Sequence, residues 1–367
     1  MKRFRAAVLG LGLIGPQHID ALLRVPEAAL VAVCDQDGAT LNAQAERLGI
    51  RAVRRWQDVV ADPEIDVIHN CLPPALHDEV NRAALLAGKH IYCEKPLSTT
   101  AEGARRLAAL AHEKGLAIGV NHQYRLNAAV QEMRARVQSG DLGKILAVTG
   151  CYLQESASRP DDWSRRMENT GEARTVSDIG IHWADTASCV LGQPITEVLA
   201  DMHIHYPVRT DAAGQAHPIT TEDTAFILTR FADGTPGQVM VSKAANGHKN
   251  DLQVTVWGEK YSLTWRQEEP DRLFQGEKGM NGARTLYMNA ACCRDGARPF
   301  VTLPMGHVMG WADALKNAVQ AFYASLSDGS WRGATVYAGL DEGIRHAAFV
   351  DACVLSSRER RWTEVAP

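Results

Sequence analysis

The sequence predicts an α/β protein, a doubly wound parallel sheet followed by an α+β domain whose large, open sheet is mostly antiparallel. Three observations predict it. Short apolar runs alternate with helix-length segments through the first third of the chain. A glycine-rich stretch, GLGLIG, joins the first run to the first helix. Beyond about residue 140, strand-like runs follow one another with short turns and few long helices between them.

The elements follow in order. Ala6 to Gly10 reads as a strand and Ile14 to Arg24 as a helix; Leu30 to Asp35 is the next strand and Ala39 to Leu48 the next helix. Asp66 to Leu72 and His90 to Glu94 are strands, followed by helices over His77 to Ala87 and Ala101 to Lys114, and Leu116 to Asn121 closes the series. Short apolar strands between such helices make βαβ units, with a parallel sheet covered on both faces. The later runs KILAVTGCYL, ITEVLADMHIHY, DTAFILTRF, GQVMVSKA, LQVTVWG and YSLTWRQ are the second sheet, with helices near Trp311 to Ser325 and Leu340 to Ser356 expected beside it. The expected domains are 1–124 and 125–367.

Composition narrows the function. The 367 residues are 46% hydrophobic and 22% charged, as in globular proteins, and the net charge of -4 with no basic stripe argues against nucleic acid. No run approaches the roughly 18 apolar residues of a membrane span. The basic start MKRFR precedes a short apolar run broken by glycines, without a cleavage site, so a cytoplasmic location is expected. Eight cysteines show no C-x-x-C spacing, and His203, His205 and His217 have no accompanying ligand cluster; no disulfide framework and no metal site is expected.

GLGLIG places Gly10, Gly12 and Gly15 in a G-x-G-x-x-G between a strand and a helix, the context of a Rossmann dinucleotide site. Gly10, Gly12, Leu13, Ile14 and Gly15 would then surround the pyrophosphate at the helix N-terminus. Asp35, 20 residues after Gly15 at the end of the second strand, would meet the ribose hydroxyls. Its carboxylate repels a 2′-phosphate, and Gln36 and Asp37 add no positive charge, so NAD is expected over NADP. The stretch HIYCEKPLST ends a buried strand on Glu94, Lys95 and Pro96. Ligands of doubly wound sheets bind at the carboxyl ends of strands, which directs Lys95 toward the nicotinamide, where a desolvated lysine can exchange a proton near neutrality.

GLGLIG, the CD after the second strand, CEKP and SDIGIHWAD together resemble the Gfo/Idh/MocA family of sugar and cyclitol oxidoreductases, over nearly the whole chain. The resemblance implies that Lys95 sits beside nicotinamide and substrate and that the Lys95–Pro96 peptide is cis. It carries the family's D-x-x-x-H pair onto Asp178 and His182, a spacing that would put both on one face of a helix. His182 would accept the proton of a secondary alcohol, Asp178 would position substrate or imidazole, and Lys95 would stabilise the developing alkoxide. Glu94, His77 and Asn121 are implied near the cofactor, and Tyr124 and Arg125 near the substrate; helix capping for His77 and a salt-bridged surface arginine for Arg125 are the other readings. Trp163 and Arg165 belong to a stretch resembling the family's substrate loop, whose four arginines (Arg159, Arg165, Arg166 and Arg174) would suit an anionic sugar; a solvated loop is the other reading. KNDLQVTVWGEKYSLTWRQEEPD is most similar to the levoglucosan dehydrogenase-like subgroup. The family also implies a homodimer or homotetramer through the C-terminal sheet. Two other functions share these motifs: a glycosidase using NAD catalytically through oxidation, elimination and re-reduction, and a non-enzymatic NAD-binding regulator.

Overall fold

The computed structural model describes residues 3–164, 167 and 171–367. The chain divides into two compact units, Met1–Leu126 with Ala312–Ile344, and Asn127–Trp311 with Arg345–Pro367. Residues 312–344, within the 125–367 segment expected as the second domain, therefore belong to the first unit.

The first unit contains six strands: β1 (Phe4–Leu9), β2 (Ala28–Cys34), β3 (Arg51–Val53), β4 (Val67–Asn70), β5 (His90–Cys93) and β6 (Ile118–Val120). All pairings are parallel, in the order β3-β2-β1-β4-β5-β6. That order reverses between β1 and β4, the switch point at which such sheets bind ligands. Helices α1 (Gly15–Leu23), α2 (Gly38–Leu48), α3 (Trp56–Ala61), α4 (His77–Leu86) and α5 (Ala101–Lys114) connect the strands. Their ends carry ordinary chemistry: Asp37 caps α2 and Thr100 caps α5, and each of these two helices closes on a left-handed glycine, Gly49 and Gly115. Strand β3 and helix α3 are not among the predicted elements. β3 is a three-residue edge strand whose Arg51 and Ala52 face solvent, so it lacks the apolar run that marks its neighbours.

The helix Trp311–Asp328 corrects an expectation. The sequence reading sets it beside the antiparallel sheet, but residues 312–328 pack in the first unit. Phe322 and Tyr323 are fully buried there, with the Phe322 ring 5.3 Å from that of Tyr92 and the Tyr323 ring 6.2 Å from that of Phe4. Gly119 in β6 makes the slot: a Cβ there would stand 2.9 Å from the Phe322 ring and 2.7 Å from that of Tyr92.

The second unit holds a nine-stranded sheet. Its strands are β7 (Ile145–Leu153), β8 (Ile195–His203), β11 (Thr224–Phe231), β12 (Pro236–Ser242), β13 (Asp251–Gly258), β14 (Tyr261–Arg266), β15 (Arg272–Glu277), β16 (Ala283–Tyr287) and β17 (Thr363–Glu364); β9 (Val208–Thr210) and β10 (Ala216–Pro218) pair separately. The order is β16-β15-β14-β13-β7-β12-β11-β8-β17, antiparallel except where β12 meets β7. β11 alternates with period two: Ala225, Ile227, Thr229 and Phe231 are buried, whereas Phe226, Leu228 and Arg230 are exposed. Helices α6 (Ala128–Gln138) and α7 (Ile181–Leu191) also belong to this unit. Trp183 of α7 is fully buried, and Gly150 of β7 admits it, since a Cβ at Gly150 would lie 2.3 Å from Trp183 Nε1 and 2.0 Å from the Gln253 carbonyl oxygen. α7 does not begin as a regular helix. Val176–Gly180 is π-helical, so Asp178 lies in a widened turn and His182 in the first turn of α7, rather than both on one α-helical face.

Candidate active site

In the first unit the glycine-rich turn follows β1. Gly10 has φ +87°, and a Cβ on it would stand 2.7 Å from the Cys71 carbonyl oxygen. Gly15 allows the turn to fold back, since its Cβ would meet the Gly10 carbonyl oxygen at 1.9 Å. Gly12 faces open space, Leu13 is 72% exposed, and no side chain among the described residues caps the N-terminus of α1 at Ile14. A compact turn, open at Gly12, leading to uncapped N–H groups fits a dinucleotide pyrophosphate. Asp35 braces this turn: Oδ2 accepts the Leu11 N–H (2.7 Å) and Oδ1 the Asp37 N–H (2.8 Å). Arg54 lies against Gly38, where a Cβ would stand 2.1 Å from its Nη2, so a positive charge approaches this loop from beyond β3. Nothing in the local sequence after Asp35 signals it.

The Glu94–Lys95–Pro96 turn follows β5, and the Lys95–Pro96 peptide is cis, as the resemblance implies. The ladder continues past the strands: Glu94 N–H donates to the Asn70 carbonyl and Asn121 N–H to that of Cys93. Glu94 is buried. Burial by itself raises its pKa, but hydrogen bonds from His18 (3.0 Å) and Asn121 (2.6 Å) and the charges of His18 and Lys95 outweigh it, bringing the carboxyl down to about 2. His77 is buried at the start of α4, with Nδ1 2.6 Å from the Pro96 carbonyl oxygen and Nε2 2.9 Å from that of Leu72. It fastens the turn to the loop after β4. Tyr124 and Arg125 are buried beyond β6, Arg125 standing 3.9 Å from Glu342.

In the second unit Asp178 carries an ion pair absent from the sequence reading. Lys243, directly after β12, donates to Asp178 Oδ2; the lysine side chain is 12% and the aspartate 43% exposed. His182 is buried one turn beyond, its ring centroid 6.1 Å from that of Tyr152. The segment leading into the π-turn is clamped from β11. Glu222 accepts the N–H groups of Arg174 (2.9 Å) and Val176 (2.7 Å), and Asp223 accepts from Arg209 Nη2 (2.8 Å) and Arg174 Nη2. Burial pushes the Glu222 carboxyl up against these bonds. Arg174, one of four arginines expected to read an anionic group, is thus a buried partner of Asp223, and Arg159 pairs with Asp161 and Asp162. Trp163 stacks on His217 at 3.7 Å. Arg165 and Arg166 lie outside the described residues. Lys243, Asp223 and Glu222 escaped the sequence reading because each follows or opens a strand far from the D-x-x-x-H stretch, with no spacing to tie them to it.

The fold and the glycine-rich turn define a dinucleotide-binding oxidoreductase architecture. A model for the oxidoreductase family with an NAD-binding Rossmann fold matches residues 4–122, and one for the GFO/IDH/MocA C-terminal domain matches residues 130–264. The chain belongs to the Gfo/Idh/MocA family and is an NAD-binding oxidoreductase. It is 26% identical to levoglucosan dehydrogenase of Pseudarthrobacter phenanthrenivorans, over 100% of this chain and 99% of that one. It is 27% identical to myo-inositol 2-dehydrogenase of Thermotoga maritima, over 79% of this chain and 84% of that one. A levoglucosan dehydrogenase structure in complex with NADH and L-sorbose superposes with a TM-score of 0.91 at 25% identity, covering 100% of both chains. Among the described residues no helix is long and apolar enough to cross a membrane.

The depressed Glu94 pKa has a signed consequence. Its folded-state value lies below the ordinary 4.5, so its stabilisation is fully present above pH 4.5 and is lost as pH falls toward 2. Glu94→Gln should lower the unfolding free energy at pH 7 by on the order of 2 kcal/mol. The gap to wild type should narrow as pH drops below 4.5. Urea unfolding at a series of pH values checks this; a gap that does not change with pH would contradict it.

Proposed function

We propose that the chain is an NAD-dependent dehydrogenase acting on a secondary hydroxyl of a sugar, glycoside or cyclitol, with pyranosides and anhydrosugars as the first substrates to try. The observation that carries this reading is the Asp178–Lys243 pair one turn before the buried His182. A binding-only regulator has no use for an imidazole one turn from a charged pair, whereas removing a proton from an alcohol requires a base and a group to orient it. The relatives named above supply the substrate class.

Bound NAD would supply the hydride acceptor. The turn over Gly10, Gly12, Leu13, Ile14 and Gly15 and the N-terminus of α1 would hold its pyrophosphate, and Asp35 would address the ribose. Glu94, His77 and Asn121 would shape its nicotinamide end. His182 would take the hydroxyl proton through its imidazole. Asp178, held by Lys243, would accept a hydrogen bond from a neighbouring substrate hydroxyl. Lys95 would place its ammonium on the oxygen that gains charge. Tyr124, Arg125, Trp163 and Arg165 would complete the substrate contacts. By this reading the first unit serves the cofactor and the second serves the substrate and self-association.

The second copy has a candidate surface. Phe226 and Leu228 of β11 are exposed on the face they share with Met240 of β12, and Trp257 of β13 is exposed as well. An open apolar sheet face of this kind suits another copy of the chain. Light scattering should give a dimer or tetramer, and Phe226→Asp with Leu228→Asp should shift it toward monomer; a wild-type monomer at micromolar concentration would end this proposal.

NAD should bind more tightly than NADP, because the Asp35 carboxylate opposes a 2′-phosphate despite Arg54 nearby. Titration of both cofactors decides it, and Asp35→Ser should narrow the difference. NADP preference in the wild type would refute the assignment.

Lys95→Met and His182→Ala should each lower turnover by ~10²–10⁴ with NAD affinity nearly unchanged. Lys243→Met should act mainly on KM. The assay is a panel of sugars and glycosides, following NADH at 340 nm together with product. Aglycone release without net NADH would identify the glycosidase chemistry instead. Wild-type turnover in either of the first two variants would remove that residue from the mechanism.

A further inference from the structure

Three buried side chains of the first unit take no part in the reaction proposed above, yet they lead to its lysine. His18 of α1 and His69 of β4 bring their Nδ1 atoms within 3.0 Å, and His69 Nε2 lies 3.0 Å from the Tyr323 hydroxyl. His18 Nε2 lies 3.0 Å from Glu94 Oε1. His18, His69 and Tyr323 are all fully shielded from solvent. A second arm reaches the same carboxylate oxygen: the Tyr92 hydroxyl donates to Asn121 Oδ1 (3.1 Å), and Asn121 Nδ2 donates to Glu94 Oε1 (2.6 Å). The remaining oxygen, Oε2, accepts the backbone N–H of Lys95 (3.2 Å).

The ionised carboxylate fixes the role at its end of this line, because it can only accept hydrogen bonds. His18 therefore donates from Nε2. Its Nδ1 meets His69 Nδ1, and His69 Nε2 meets the Tyr323 hydroxyl. Every ring nitrogen of the two histidines has a partner. Burial, followed by the neighbouring His18, pushes the His69 pKa well down, which keeps that imidazole neutral. The line ends inside the fold at Tyr323, so it does not conduct protons to solvent. What it can do is lock the position of one carboxylate.

We propose that Tyr323, His69 and His18 are positioning residues that act through Glu94 to hold Lys95 in its reacting orientation. The proposal rests on reading Lys95 as a catalytic residue. The Oε2 contact anchors the backbone from which that side chain departs, and the carboxylate's charge attracts that of the adjacent lysine. A loosened Glu94 would leave NAD and substrate binding largely intact and would act on the chemical step.

The test is a double-mutant cycle in the full chain with NAD and its best substrate. His18→Ala should lower kcat 10- to 100-fold, with KM and the NAD dissociation constant within about twofold of wild type. Tyr323→Phe, which removes only the far hydroxyl and keeps the packing, should lower kcat by about 2- to 5-fold. In a Lys95→Met background, neither change should lower the residual turnover further. A purely structural effect would instead reduce both backgrounds alike, and that result would overturn the proposal. Wild-type kcat in His18→Ala and Tyr323→Phe, with Lys95→Met impaired, would overturn the positioning line alone. Wild-type kcat in Lys95→Met would overturn the catalytic reading of the lysine and the line together. If His18→Ala does not fold, Tyr323→Phe and Glu94→Gln carry the same cycle, and additivity of both with Lys95→Met refutes the proposal.

Discussion

The carboxylate of Glu94, ionised and shut away from water, is the constraint on which the working edge of the parallel sheet depends. A buried charge costs several kcal/mol unless it is fully hydrogen-bonded. Glu94 meets that demand with donors from three places: His18 on α1, Asn121 beyond β6, and the N–H of Lys95 in its own turn. Each donor must therefore stay where it is. The helix that follows the glycine-rich turn, the end of β6 and the Glu94–Lys95–Pro96 turn are tied to a single point. Removing any one of them leaves a charge whose desolvation is no longer offset.

The second unit repeats the principle with different residues. Asp223 is fully buried and holds the guanidinium groups of Arg209 and Arg174, while Glu222 takes two backbone N–H groups, that of Arg174 ahead of the π-turn and that of Val176 at its start. The widened turn that carries Asp178 is thereby anchored from β11 at its N-terminal side and continues into the buried α7. A π-segment is less favourable than regular helix and persists where its surroundings hold it. Here the clamp supplies that hold, and the exposed part of Asp178 meets Lys243.

Sequence reasoning reaches the features that depend on local pattern. The glycine spacing, the acid after β2 and the alternation of apolar runs are each set by neighbours a few residues away, and the fold follows from them. What it missed depends on long-range packing. The helix Trp311–Asp328 reads as apolar on one face, but only the slot at Gly119 decides which sheet receives it. Arg174 reads as one more loop arginine until Asp223, 49 residues on, takes its guanidinium. Lys243 is an ordinary strand-end lysine in sequence, and Arg54 stands beyond a whole helix from the acid it approaches. The regular helix expected for Asp178 and His182 failed because the four-residue spacing is shared by helices of more than one width.

His18 shows why such residues escape a reading based on motifs. It stands three residues after Gly15 and looks like part of the dinucleotide turn, but its ring points into the core, where it meets His69 and Glu94. In place of the His18–His69–Tyr323 line, apolar side chains of similar volume would pack without any desolvation cost, and replacing buried polar sets in this way often leaves a protein as stable or more so. Fold stability alone therefore does not account for two histidines and a tyrosine in a dry interior. Direction does. An apolar core resists compression but does not choose which way a carboxylate points, whereas a line of hydrogen bonds ending on a group that can only accept specifies one orientation and one charge state at the turn that carries Lys95.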